Sequence, residues 1–203
     1  KNQLDLKNAI QLYSNGIKKD SSSLAEPLSS KIAKIEKNLE LFKQTGNSQA
    51  LFNKVLSKFN SELRNSSQLI IVYNKHQSDT KGEMLTFQRK DSLWTPVFPP
   101  ININLGARGF AKENQKVEGD YKTPSGLFPI TRVFGYDNDL NTTMEFILLT
   151  GQHIWVTDTE DSNYNRIVSD INDLYQNKGE MLLRMDALNK YGIIIDYNKI
   201  GRA

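Results

Sequence analysis

The sequence predicts an α+β protein, with an N-terminal helical hairpin in residues 1–66 and a β-rich domain over residues 67–203. Three observations predict it. Up to Leu63, apolar residues recur at three- and four-residue spacing, which lays them along one side of a helix. At Ser66-Ser67 that period stops, and short β-branched or aromatic runs separated by polar turns take over. Near the end, Ile193-Ile194-Ile195 reads as a strand that is apolar on both faces.

The first helix of the hairpin is carried by Leu28, Ile32, Ile35, Leu39 and Phe42, and Gly46-Asn47 stops it. The second is carried by Leu51, Phe52, Val55, Leu56, Phe59 and Leu63, with Ser48 as its candidate N-cap. A shorter helix around Leu4 to Tyr13 precedes the serine-rich break at Ser21 to Ser23. A short glycine-asparagine connection favours antiparallel packing of the pair. The hairpin is also a candidate surface for a protein partner, although its repeat is short for a coiled coil.

The β-rich region begins with "QLIIVYN", turns through "KHQSDTKGE", and continues in "MLTFQRK" and "LWTPVFP". Pro96, Pro99 and Pro100 confine the last of these runs to a sheet edge or a strand end, because proline cannot donate to the ladder. "SGLFPITRVFG", "FILLT" and "HIWVTD" supply further strands. "GEMLLRMDALNKYG" predicts a helix with Met181, Leu182, Met185 and Leu188 on one face and Gly192 as its stop. The buried strand "IIIDYN" follows, and a central strand so near Ala203 points to further sequence downstream or to another strand as its cover.

Composition limits the chemistry. With no cysteine among 203 residues, this chain by itself has no disulfide, no thiolate metal ligand and no thiol nucleophile. A net charge of +3, spread over scattered lysines, does not make the basic stripe of a nucleic-acid binder. No apolar run approaches the roughly 18 residues that span a bilayer. The start at Lys1 reads as a mature or trimmed N-terminus.

The densest local signal is "EGDYKTPSGLFPI", Glu118 to Ile130. Pro124 fixes its own φ and holds Thr123 extended, while Gly126 is free to take positive φ. Glu118 and Asp120 have the residue types of a glycosidase carboxylate pair. Two acids one residue apart before a proline turn are better read as a loop frame, together with Gly119 and Lys122. Elsewhere, His76 reads as a solvated turn residue, and His153 as a strand-edge histidine with satisfied hydrogen bonds rather than a general base. Two histidines so far apart make no zinc site. "DNDLNTTME" fails as a calcium loop, since Thr142 stands in place of the turn glycine and Leu148 in place of the bidentate glutamate. Trp155, Asp158, Tyr164 and Asn165, in "WVTDTEDSNYN", are the candidate substrate-binding residues, set against the plainer reading of a solvated loop.

Four segments taken together, "GARGFAKENQKVEGDYKTPSGLFPI", "RVFGYD", "IWVTDTEDSNYN" and "YGIIIDYN", resemble the L,D-transpeptidase catalytic domain of bacterial cell-wall enzymes. The resemblance covers about Gln68 to Ala203, and Glu118, Gly119, Asp120, Thr123, Pro124 and Gly126 carry its most specific motif. Tyr121 stands where the family often has a small residue. The resemblance implies an enzyme of the bacterial cell envelope, periplasmic or extracytoplasmic, acting on peptidoglycan stem peptides without a metal or organic cofactor. In that family a cysteine forms an acyl-enzyme and a histidine activates it, both downstream of the strand matched by Ile193 to Asn198. No catalytic residue therefore transfers to this chain, and His153 does not match the catalytic histidine. The expectation is the N-terminal part of such a domain, incomplete at its C-terminus and inactive as it stands. Two alternatives remain: a non-catalytic module binding cell wall or protein, and an L,D-carboxypeptidase trimming tetrapeptide stems.

Overall fold

The computed structural model describes residues 30, 33, 36, 37, 40, 47–137, 142–170, 172–183 and 190–197. These fall into two compact units, Lys1–Gly109 and Phe110–Ala203, and among them one α-helix of defined bounds and ten strands make a mixed, β-rich α+β protein. Residues 30, 33, 36, 37 and 40 are helical and exposed, but Leu28, Ile32, Ile35, Leu39 and Phe42 lie outside the described residues. The predicted helical hairpin, as a packed pair, is therefore not supported, and the short helix around Leu4 to Tyr13 also lies outside them.

In the first unit, helix α1 (Asn47–Lys58) precedes strands β1 (Gln68–Tyr73), β2 (Lys81–Lys90), β3 (Leu93–Pro96) and β4 (Ile101–Asn104). The long β2 is the spine. It pairs antiparallel with β1 along one side. Its other side is shared, with β3 pairing from Phe87 to Lys90 and β4 from Lys81 to Met84. Strand alternation puts Leu69 opposite Phe87 and Ile71 opposite Leu85, and all four are buried. Phe52 of α1 stacks on Phe87 at 4.2 Å, which seats the helix on this apolar face. Asp91 and Ser92 join β2 to β3 with φ of 49° and 70°, the double left-handed turn that matches strand twist. Pro96 does lie in an edge strand.

Two local expectations change here. Ser48 is not the N-cap; it sits fully buried inside the first turn of α1, and its hydroxyl hydrogen-bonds the Tyr73 phenol. The second helix also stops at Lys58, although its apolar spacing runs on to Leu63. Leu63 is still buried, through turns in which its N–H donates to the Phe59 carbonyl at 3.0 Å. Packing against the sheet needs only the burial, which a turn supplies as well as a helix.

Among its described residues the second unit holds two three-stranded sheets. In one, β5 (Ile130–Gly135) lies between β6 (Glu145–Leu148), parallel to it, and β10 (Tyr191–Ile195), antiparallel. In the other, β7 (His153–Val156) lies between β8 (Ile167–Ser169) and β9 (Gly179–Met181), antiparallel to both. Val133, Ile154, Val156, Leu182 and Ile194 contribute to the buried core.

The predicted helix from Gly179 is overturned at its start, because Gly179–Met181 is strand, with Glu180 opposite Trp155. Three- and four-residue apolar spacing arises by chance in so short a run, and β7 offers an unpaired ladder. Positions 184–189 lie outside the described residues. Strand β10 also differs from expectation. Among the described residues it pairs on one side alone. Ile194 is 6% exposed, whereas Ile193 and Ile195 are 54% and 41% exposed. Alternation sends successive isoleucines to opposite faces, and only the Ile194 face is covered.

Candidate functional site

The segment from Lys116 to Gly126 is a frame built around Asp120. One carboxylate oxygen of Asp120 accepts the Lys122 N–H at 2.9 Å and the other accepts the Val117 N–H at 3.1 Å. The Lys116 ammonium lies 2.8 Å away and also donates to the Val117 carbonyl. Burial pushes the Asp120 carboxyl up, but these donors together outweigh it and bring it down to about 2. Gly119, Tyr121 and Gly126 all have positive φ, and the chain turns at Glu118 to Asp120 and bends at Gly126. Thr123 and Pro124 lie in the extended stretch between. There the Thr123 carbonyl accepts the Ala111 N–H, and the Ser125 hydroxyl donates to the Ala111 carbonyl at 2.6 Å. Tyr121 itself is 67% exposed.

The second part of the site is the turn from Asp158 to Arg166, which joins β7 to β8. The Asp161 carboxylate accepts the Asn163 N–H at 2.9 Å, and Lys178 pairs with it at 2.9 Å. Asn165 has φ of 61° and pairs by its N–H with the Val156 carbonyl, which returns the chain into β8. This left-handed step is one that asparagine tolerates better than most residues.

The two loops meet. The Tyr164 phenol donates to the Glu118 carboxylate at 2.6 Å. The Asn165 amide donates to the Tyr197 carbonyl at 3.0 Å, just beyond β10. The Tyr197 phenol donates to the Lys116 carbonyl at 3.2 Å and packs edge-on to Phe128. Segments distant in sequence are thereby tied into one cluster.

Beside this cluster lies a cleft of about 330 Å³. Trp155, Ile194 and Ile195 give it apolar wall, and Arg132, Arg166, Asn165, Asp196 and Tyr197 give it polar wall. Of the four residues predicted to bind substrate, Trp155 and Asn165 line this cleft. Tyr164 is 8% exposed, with its hydroxyl committed to Glu118. Asp158 is not in the lining, and its carboxylate accepts the Glu160 N–H at 3.0 Å. Arg132, Arg166, Asp196 and Tyr197 were not singled out from sequence. Arg166 does follow directly on "IWVTDTEDSNYN", and Arg132, Asp196 and Tyr197 lie inside "RVFGYD" and "YGIIIDYN", segments that were singled out as wholes.

His153 accepts the Thr150 N–H on Nδ1 at 3.0 Å, and the Thr150 hydroxyl lies 3.0 Å from the same nitrogen, so its ring is held by its own turn. Among the described residues no group of three or more histidines, aspartates or glutamates gathers as metal ligands, and no helix is long and apolar enough to cross a membrane. Residues 138–141 of the rejected calcium loop lie outside those described. Comparison with protein-family models, curated proteins and solved structures finds no match for this chain.

Proposed function

We propose that this chain is the substrate-positioning part of an L,D-transpeptidase-like domain that handles peptidoglycan stem peptides in the bacterial envelope. One observation carries the proposal: three of the segments that resemble the family, around Glu118, around Tyr164-Asn165 and around Tyr197, are tied to one another by side-chain hydrogen bonds. Residues that are merely similar in order need not touch. Here they hold one another and border a cleft with an aromatic wall.

In such a reaction a cysteine thiolate attacks the carbonyl of the third stem residue. The amide bond to the terminal D-alanine breaks, and the D-alanine nitrogen takes the proton that the histidine had accepted from the thiol. The thioester then passes to an amine of a neighbouring stem, or to water in a carboxypeptidase. Neither the thiol nor its base comes from the segments described above. What these residues supply is shape: the Asp120-centred frame sets the Glu118 loop, and Tyr164 and Asn165 fix that loop against the end of β10.

A second reading, a non-catalytic module that binds cell wall or protein, is favoured by the absence of cysteine from all 203 residues. Titrating the isotope-labelled chain with a disaccharide-tetrapeptide, followed by amide chemical shifts, tests what the two readings share. Shifts clustered at Trp155, Asn165 and Arg166 are expected. No response from those residues at millimolar ligand would remove stem peptides as the ligand.

A further inference from the structure

We infer that the cleft between β7 and the end of β10 is a binding site for a peptide C-terminus, taking its α-carboxylate on Arg132 and Arg166 and its last amide on Asn165. The observation is a juxtaposition of types. Two arginines from separate segments, Arg132 on β5 and Arg166 just ahead of β8, line the same cleft. Among the described residues, the ion pairs and side-chain hydrogen bonds of the second unit run through other side chains, among them Lys116, Lys178 and Lys190. Neither Arg132 nor Arg166 is among them, so their donors are open to a ligand. A planar guanidinium suits a planar two-oxygen anion, which it can grip with two parallel N–H donors.

One carboxylate also lines the cleft, that of Asp196, and its Oδ1 accepts the Thr131 hydroxyl at 2.9 Å. Two arginines against one aspartate leave the lining net positive. Asn165 adds an orienting group. Its amide nitrogen is committed to the Tyr197 carbonyl, so its oxygen remains the acceptor for an N–H of the ligand. Trp155 and Ile194 offer apolar surface for a small side chain. Anion, N–H donor and small apolar group together are what the end of an acylated amino acid presents. A bare inorganic anion would use only the first of the three.

This assignment concerns the same cleft as the stem-peptide reading, but it rests on the lining residues and not on the family resemblance. The protein has two tryptophans, Trp94 and Trp155, so a Trp94→Phe background makes Trp155 the reporter. N-acetyl-alanyl-alanine, in L,L and D,D forms, is titrated against Trp155 fluorescence beside its C-terminal amide and inorganic phosphate. The free acid of one stereoisomer is expected to bind at least about tenfold more tightly than its amide, the loss typical of a hydrogen bond to a charged group. Arg166 is exposed, so Arg166→Gln removes its charge without a buried defect. That variant should cost the acid a large part of its advantage over the amide, with Arg132 keeping the rest, and leave the amide unchanged. Equal binding of acid and amide, an unaltered acid affinity in Arg166→Gln, or phosphate binding as tightly as the acid would overturn the assignment. If this peptide binds and a tetrapeptide muropeptide does not, the cleft assignment holds and the stem-peptide proposal fails. The opposite pattern sinks the cleft assignment alone.

Discussion

Tyr164 donates to Glu118 across 46 residues of sequence, at 2.6 Å. The bond joins the loop after β7 to the most distinctive motif in the chain. Removing it by Tyr164→Phe keeps the buried ring and deletes only the hydroxyl. The expected cost is about 1 kcal/mol, because Glu118 is exposed enough for water to replace much of the bond. Glu118→Ala, which removes the acceptor, should cost a similar amount, and the double variant little more than either single one. Urea unfolding of the four proteins measures that coupling. Strict additivity would mean that the pair contributes nothing.

The same phenol has a pH signature. Burial first, then the Glu118 hydrogen bond and charge, push Tyr164 up to about 12. A folded-state pKa raised above the unfolded value stabilises the protein fully below about pH 10, and that contribution is lost as pH rises through about 12. Titrating phenolate absorbance should show a late-ionising tyrosine that disappears in Tyr164→Phe. If the variant's curve overlays the parent's at high pH, the Tyr164 phenol is not held protonated.

Asp120 carries the opposite sign. Its folded pKa of about 2 lies below the ordinary carboxylate value. The stabilisation is therefore present above about pH 4 and is lost as pH falls through about 2. Asp120→Asn should be less stable than the parent at neutral pH, with the gap closing in strong acid. A gap that stays constant down to pH 2 would show that charge at Asp120 does not hold the loop.

Asn165 separates backbone strain from hydrogen bonding. Its φ of 61° suits glycine, so Asn165→Gly loses only the bond to Tyr197. Asn165→Ala loses the bond and also strains the turn, which adds about 1 kcal/mol. Alanine should therefore destabilise more than glycine in chemical unfolding, and the reverse order would show that the turn relaxes. Gly179 marks a steric limit nearby. A Cβ there would run into the Trp155 carbonyl oxygen, so Gly179→Ala should weaken the pairing of β9 with β7. Faster amide exchange in β7 would report it.

Much of the strand pattern was legible in residues. "QLIIVY", "MLTFQRK", "ITRVFG" and "HIWV" all became strands, because β-branched and aromatic runs bounded by turn residues have few other solutions. Ile101–Asn104 and Ile167–Ser169 were not recognised, since short runs with only one or two apolar residues become strands only when a ladder is offered. Gly179–Met181 was missed for the same reason. The site was legible as motifs and not as contacts. Nothing in "EGDYKTPSG" announces that Glu118 holds Tyr164, nor in "DYN" that the Tyr197 phenol holds the Lys116 carbonyl. Arg132 escaped because a lone arginine inside a strand looks like a solvated edge residue. Only the fold brings it beside Arg166.

The proposed activity is tested most directly by D-alanine release. The coding sequence following Ala203 is read, the polypeptide of the whole reading frame is produced, and a disaccharide-tetrapeptide is offered to it with mass-spectrometric detection. The expected result is a frame that supplies a histidine and a glycine-cysteine pair, with release of the terminal D-alanine that a cysteine-to-alanine replacement abolishes. A frame without cysteine, or release that survives the replacement, would contradict the L,D-transpeptidase account.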